Sequence, residues 1–138
     1  MIRVVLDTNV IVSALLQPLG PSAYLLVQAL NGSLQICLTG AIFAEYDEVI
    51  SRPRLKRDPE IIAASLHAIR NAALWVRVMR TITVCPDPDD NIFLECAEAA
   101  EAEYLVTGNV RHFPTAWATC QIVKPRVLLD LLTAANKD

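Results

Sequence analysis

Apolar and polar positions change period along this chain, and the changes mark out most of its secondary structure. Ile2 to Leu6 is a short apolar run rich in β-branched residues, broken only by Arg3 and stopped at Asp7, the pattern of a buried parallel strand. Pro21 to Asn31 follows as a helix, with Tyr24, Leu25, Val27 and Leu30 apolar and Asn31-Gly32 as its stop. Ile36 to Leu38 predicts a second strand, after which Thr39 caps a helix from Ala41 to about Ser51. Arg52-Pro53 ends that helix, because the residue before a proline is disfavoured in the α region. Asp58-Pro59 pairs an N-cap with a proline at the first helical position and opens a helix to about Ala73. Trp75 to Val78 fits either a helix end or a strand. Asp87-Pro88 repeats the cap signature and opens a helix to Ala100, followed by a strand at Glu103 to Val106. Cys120 to Val123 is a last strand, and Pro125 starts a terminal helix through about Leu132. Strands alternating with helices predict an α/β fold with a mostly parallel sheet.

The length of 138 residues suits one domain, expected to span 1–138, and 54% apolar residues supply its core. The net charge of −3 argues, as a sum, against a uniformly basic nucleic-acid binder. The charges are segregated, however. Ser51 to Arg80 holds seven basic residues against Asp58 and Glu60, whereas Thr81 to Glu103 holds seven acids and no base. Cys37, Cys85, Cys96 and Cys120 form no C-x-x-C pair, which points to buried reduced thiols rather than to a zinc or redox motif. Thr8 to Ala44 carries no charge, but Gln17, Pro18, Gly20, Asn31 and Gly32 interrupt it, so no membrane-spanning run of about 18–20 apolar residues survives. The N-terminus lacks the ordered regions of a signal peptide, and a soluble cytoplasmic protein is expected.

In parallel sheets, ligands collect outside the carboxyl ends of the strands. Two polar turns are expected there: Asp7-Thr8-Asn9 after the first strand and Thr107-Gly108-Asn109 after the strand at 103–106. Asp7 also suits an ordinary N-cap. In Asp87-Pro88-Asp89-Asp90, the plain account is a cap at Asp87 with Asp89 and Asp90 facing the helix macrodipole. Three carboxylates within four residues nevertheless repel, and a bound cation would turn that repulsion into affinity. Beyond them Ile92, Phe93, Cys96, Ala97 and Ala100 share one helix face, leaving Glu95 and Glu98 to water. In the helix at 41–51 the apolar stripe is Ile42, Phe43, Tyr46, Val49 and Ile50. Glu48 points away from it, while Glu45 and Asp47 border its two edges, so helical geometry does not separate these two.

Taken in order, these residues resemble a PIN domain. The D-P-D-D-N-x-F-L-x-C-A stretch at 87–97 and T-G-N-x-x-H-F-P at 107–114 are more closely similar to PIN-family toxins of toxin–antitoxin systems, relatives of the VapC-type ribonucleases. The resemblance covers nearly the whole chain. It implies an α/β/α sandwich that gathers acids from separate segments at the carboxyl edge of a twisted sheet, binds Mg²⁺ or Mn²⁺ and cleaves RNA. It also implies a cognate antitoxin and a homodimer. Carried over by position, Asp7, Glu45 and Asp90 become the catalytic metal-binding acids. Asn109 falls where many members place a fourth Asp, a departure that keeps an oxygen ligand and loses a charge. Thr8, Asn9, Thr107, Asp87 and Asp89 become supports of the carboxylates. His112 is either an acid/base or an organiser of the loop at 108–114. Apart from the resemblance, Arg52, Arg54, Lys56 and Arg57 surround Pro53 just after the helix that bears Glu45, a place from which they could hold an RNA backbone, with a solvated basic loop as the plain alternative and antitoxin cover as another.

The chemistry agrees with this set. Unit charges 4 Å apart interact by about 4 kcal/mol at an effective dielectric near 20, so gathered carboxylates would be partly protonated without a cation. Oxygen ligands suit Mg²⁺ or Mn²⁺ better than Zn²⁺. Two other readings compete. One is a degenerate PIN module that binds RNA or protein without cleavage, motivated by Asn109. The other is a phosphotransfer enzyme with Asp7 as nucleophile, resembling haloacid-dehalogenase-like phosphatases, which want an Asp where this chain has Asn9.

Overall fold

The computed structural model describes residues 1–135, with the Arg54 side chain and residues 136–138 outside the described part. Six strands form one sheet in the order β3-β2-β1-β4-β6-β5. They are β1 (Arg3–Leu6), β2 (Gln35–Leu38), β3 (Leu74–Trp75), β4 (Tyr104–Val106), β5 (Ala116–Trp117) and β6 (Cys120–Val123). All neighbours pair in parallel except β5 and β6, a short antiparallel hairpin at one edge. The helices are α1 (Thr8–Leu16), α2 (Pro21–Leu30), α3 (Gly40–Ile50), α4 (Pro59–Ala72), α5 (Asn91–Ala100) and α6 (Pro125–Ala135).

The α/β expectation holds, and the burial pattern shows why. Successive side chains of a strand point to opposite faces, yet Val4, Val5 and Leu6 are all fully buried, as are Ile36, Cys37 and Leu38. Both faces of the central strands are therefore covered, giving a sandwich of helices around the sheet. On one side α5 packs against β1, β2 and β4, while α2 packs against α1 and α6. No single helix among the described residues is long and apolar enough to cross a membrane, and α1 and α2 meet at a 105° bend.

The caps act as the sequence predicts. Thr39 accepts a hydrogen bond from the Ile42 amide at 3.2 Å, and Asp58 accepts one from the Glu60 amide at 2.9 Å. The ambiguous stretch at 75–78 resolves as a strand end, β3 being only two residues long. Three expectations need correction. Thr8 and Asn9 are not a turn: α1 begins at Thr8, because Thr8, Val10, Ile11 and Ala14 form a buried stripe at helical spacing. The edge strand β5, too short to show a period, adds a hairpin that the pattern does not predict. Glu95 and Glu98 are not left to water either. Residues 76–85 fold back along α5, where Glu95 accepts the Ile82 amide at 2.9 Å and Glu98 holds the Arg80 guanidinium at 2.7 Å.

One contact fixes the spacing of the functional elements. The Tyr46 hydroxyl, fully buried on α3, donates to the Leu6 carbonyl, the last of β1. Tyr46→Phe leaves that carbonyl without its side-chain partner and is expected to lower unfolding stability by about 1–2 kcal/mol, read from urea denaturation.

Candidate active site

The strand order places a topological switch point between β1 and β4: the chain moves outward from β1 to β2 and β3, then returns to β4 on the other side of β1. Asp7 leaves β1 at that point and Thr107 leaves β4 beside it. The Asp7 amide donates to the Val106 carbonyl at 2.9 Å, which locks the two strand ends together.

Asp7 stands at the N-cap position of α1, yet its side chain makes no capping hydrogen bond. It turns instead to β4. Thr107 Oγ1 donates to Asp7 Oδ2 at 2.7 Å, and Asn9 Nδ2 donates to the same oxygen at 3.2 Å. Asn9 in turn accepts the Gly108 amide at 3.1 Å, and Thr107 Oγ1 accepts the Asn109 amide at 3.0 Å. Asp7 is only 7% exposed, and burial raises its pKa above the ordinary carboxylate value, with the Thr107 hydrogen bond opposing that rise. The carboxylate is thus held in place while part of its acceptor capacity stays unused.

Glu45 reaches the same crevice from α3. Its carboxylate accepts a hydrogen bond from Thr8 Oγ1 on α1. Burial raises its pKa, the Thr8 bond lowers it, and the charges of Asp7, Asp89 and Glu48 raise it further. The structure separates the two borderline acids: Asp47 is exposed and, among the described residues, its side chain accepts only from Ser51 Oγ at 3.2 Å. Glu48 is solvated as expected and pairs with Arg52 at 2.8 Å.

The third acid, Asp90, comes from the 3-10 turn Pro88–Asp90 that leads into α5. Asp87 does cap, accepting the Asp89 amide at 3.0 Å. Asp90 does not: among the described residues its buried Oδ2 has no hydrogen-bond partner, and the His112 ring nitrogen Nδ1 lies 3.7 Å away. Burial first, then the charges of Asp7, Asp87 and Glu45 against the opposing His112, push its pKa to about 6. Asn91 fixes the approach to this turn, accepting the amides of Val84 and Cys85 at 3.2 and 2.9 Å.

The structure therefore brings together Asp7, Glu45 and Asp90, with Thr8, Asn9, Thr107 and His112 around them. The charge of Asp7 raises the pKa of both Glu45 and Asp90, and that of Glu45 raises Asp90, but the acids do not close into a cage: among the described residues no three His, Cys, Asp or Glu side chains form a ready cation site. Asn109 is exposed on the adjoining loop and makes no side-chain hydrogen bond to the acids among the described residues. The basic segment stands apart. Arg52 lies seven residues beyond Glu45, about 10 Å along a helical rise of 1.5 Å per residue. Arg52 is engaged by Glu48, Arg57 donates to the Leu16 carbonyl at 3.2 Å, and Lys56 is exposed in a left-handed conformation. The Arg54 side chain lies outside the described residues. The four cysteines are free and buried, and burial pushes the Cys96 and Cys120 thiols up to about 12, which keeps them protonated at neutral pH.

Fold and crevice together define an α/β protein with an acidic crevice at the switch point of a mostly parallel sheet. The chain belongs to the PIN domain family, whose profile matches residues 3–111. Among solved structures, it is similar to a chain of the Rickettsia felis VapBC2 crystal structure, bound to a DNA fragment from their promoter. The two share 18% sequence identity with a TM-score of 0.55, over 88% of this chain and 98% of that one. No curated protein sequence matches the chain significantly.

Asp90 supplies a measurable consequence. Its folded pKa of about 6 exceeds the ordinary 3.8, so the folded protein retains a proton that the unfolded chain has lost between those values. Stability in EDTA is expected to fall as pH rises through that window. Asp90→Asn removes this limb and, after allowance for solvent screening, raises urea stability at pH 7.5 by on the order of 1–2 kcal/mol.

Proposed function

We propose that this protein is a metal-dependent endoribonuclease, a single PIN nuclease domain that cleaves single-stranded or structured RNA as the toxin of a type II toxin–antitoxin system. The observation that carries the reading is the Asp90 carboxylate oxygen, buried without a partner beside Asp7 and Glu45. Burying an unpaired charge is costly, and two neighbouring acids increase that cost; a divalent cation relieves both. The donor set of carboxylate oxygens fits Mg²⁺ or Mn²⁺, with Asp7, Glu45 and Asp90 as the ligands and Asn109 as a neutral oxygen donor at the mouth. Such a metal, when bound, lowers the pKa of a water and neutralises charge on the scissile phosphate.

The protein's own residues supply the orientation. Thr107 and Asn9 hold one Asp7 oxygen and so fix the orientation of the carboxylate. Thr8 does the same for Glu45, and Asp87 shapes the turn that presents Asp90 while Asp89 adds negative charge near Glu45. His112 places a ring nitrogen beside Asp90, where it either exchanges a proton or orders the loop. Arg52, Arg54, Lys56 and Arg57 remain a candidate RNA-backbone contact for the far end of a longer strand. A cognate antitoxin belongs to the same proposal, supported by the likeness to a VapBC2 chain, and so does a homodimer, which rests on the family resemblance alone; the four buried thiols are in keeping with a cytoplasmic location.

A second reading, an RNA- or protein-binding module without cleavage, draws on the neutral Asn109 and on the open arrangement of the acids. The two readings separate cleanly. Purified antitoxin-free protein should cut single-stranded RNA with Mg²⁺ or Mn²⁺ and not in EDTA, while Asp7→Asn and Asp90→Asn abolish cutting. Thr107→Val, which removes a hydroxyl that orients a metal ligand, should weaken Mn²⁺ affinity about 10–100-fold by calorimetry. A wild-type chain that neither cuts RNA nor takes up Mn²⁺ sinks the nuclease reading and leaves the binding module.

A further inference from the structure

The basic residues best placed to hold a nucleic acid beside the acids are not those of the long basic segment. Leu6, Val106 and Val123 lie in one row of the sheet, so Asp7, Thr107 and Lys124 leave β1, β4 and β6 side by side. With strands about 4.8 Å apart, the Lys124 backbone stands about 10 Å from that of Asp7. Two clefts open here and share Gly108, Asn109 and Lys124. One, of 360 Å³, runs along the length of α1 opposite the start of α6 and is bounded by Asn9, Ser13, Gln17 and Arg126. The other, of 200 Å³, continues past Arg111 to His112, the neighbour of Asp90.

Arg111, Lys124 and Arg126 are all exposed, and among the described residues none of them pairs with a carboxylate. The contrast with the other basic face is plain. Arg52 is engaged by Glu48, Arg57 by a backbone carbonyl, and Asp47 adds a negative charge to the groove they line. The first turn of the 11-residue α6 adds the positive end of its macrodipole to the larger cleft.

Building on the ribonuclease reading of the acids, we propose that Arg111, Lys124 and Arg126 form the phosphate track of the site, and that the 360 Å³ cleft receives one splayed nucleotide of a single-stranded RNA next to the scissile bond. The volume lies in the small-ligand range, and its largely apolar surface carries the amides and hydroxyls of Asn9, Ser13, Gln17 and Asn109, a mix that covers the face of a base and reads its edge. A duplex keeps its bases stacked and cannot place one in such a cleft. The acids receive the scissile phosphate, and the cations two strands away receive its neighbour.

The test is fluorescence anisotropy with a labelled single-stranded RNA and the full-length protein in EDTA, where binding is read apart from cleavage. Lys124→Gln/Arg126→Gln should bind at least tenfold more weakly than wild type. The slope of log affinity against log salt should fall by about 0.7 for each phosphate that the variant no longer neutralises. Arg111→Gln should act in the same direction, and Arg70→Gln, an exposed control on α4, should not. An RNA duplex of the same length should bind at least tenfold more weakly than the single strand. Melting curves confirm that each variant folds, and all of these positions lie at the surface. Wild-type affinity and slope in the double variant, equal binding of duplex, or a loss confined to Arg52→Gln/Lys56→Gln would each overturn the proposal. If the double variant loses binding while wild-type protein with Mg²⁺ or Mn²⁺ leaves RNA intact, the track stands and the nuclease reading falls.

Discussion

The structure turns on a carboxylate kept where carboxylates are costly. Asp7 ends a strand whose preceding three residues are fully buried, and it is itself nearly out of solvent. A buried acid at a helix N-terminus is normally spent on capping amides. Here the side chain turns across to Thr107 on the neighbouring strand, and the loop after β4 is pinned in consequence: Asn109 to Thr107, Gly108 to Asn9, Asn9 to Asp7. Without the Asp7 acceptor this chain of hydrogen bonds would have no fixed origin.

The other two acids are positioned against that one. Glu45 is joined to the start of α1 through Thr8, and its neighbour in sequence, Tyr46, clamps α3 to the last carbonyl of β1. Adjacent residues of one helix thus set its distance from the strand and deliver its charge. Asp90 is delivered differently. The segment before it has no regular structure from 76 to 87, and the side chains of α5 hold it: Glu98 through Arg80, Glu95 through Ile82, Asn91 through Val84 and Cys85. A helix that carries the acid at its start also fastens the loop that leads to it.

This division explains what was legible in the chain. Caps are local, and Thr39, Asp58 and Asp87 act as their neighbours in sequence imply. Asp7 is legible as an acid at a strand end, because parallel-sheet topology fixes where such ends meet. The choice between Glu45 and Asp47 was not, since a helical wheel gives both the same distance from its stripe; only the arrival of Thr8 from another helix decides it. Glu95 and Glu98 looked solvated for the same reason, because their partners come from a segment without periodicity. Thr8 and Asn9 looked like a turn because polar residues after a strand usually are one, and the apolar part of the stripe that makes them helical begins only at Val10.

Charge shows the same limit most clearly. The long basic segment stands out by its density, but at least two of its cations are taken up within the fold, one by Glu48 and one by a carbonyl. Lys124 and Arg126 are inconspicuous in sequence, two cations flanking a proline. Their weight comes from register: a residue that follows β6 stands beside one that follows β4, which stands beside Asp7. Across this edge the charge runs from negative at Glu45 and Asp7, through neutral Thr107, to positive at Lys124. A polyanion is attracted by one end of that gradient and, in the absence of a cation, repelled by the other. On the proposed reading its phosphates lie over β6, and a cation held by the acids is what would let the next linkage approach them. The net charge of −3 hides this arrangement because it sums over an axis along which the sign reverses.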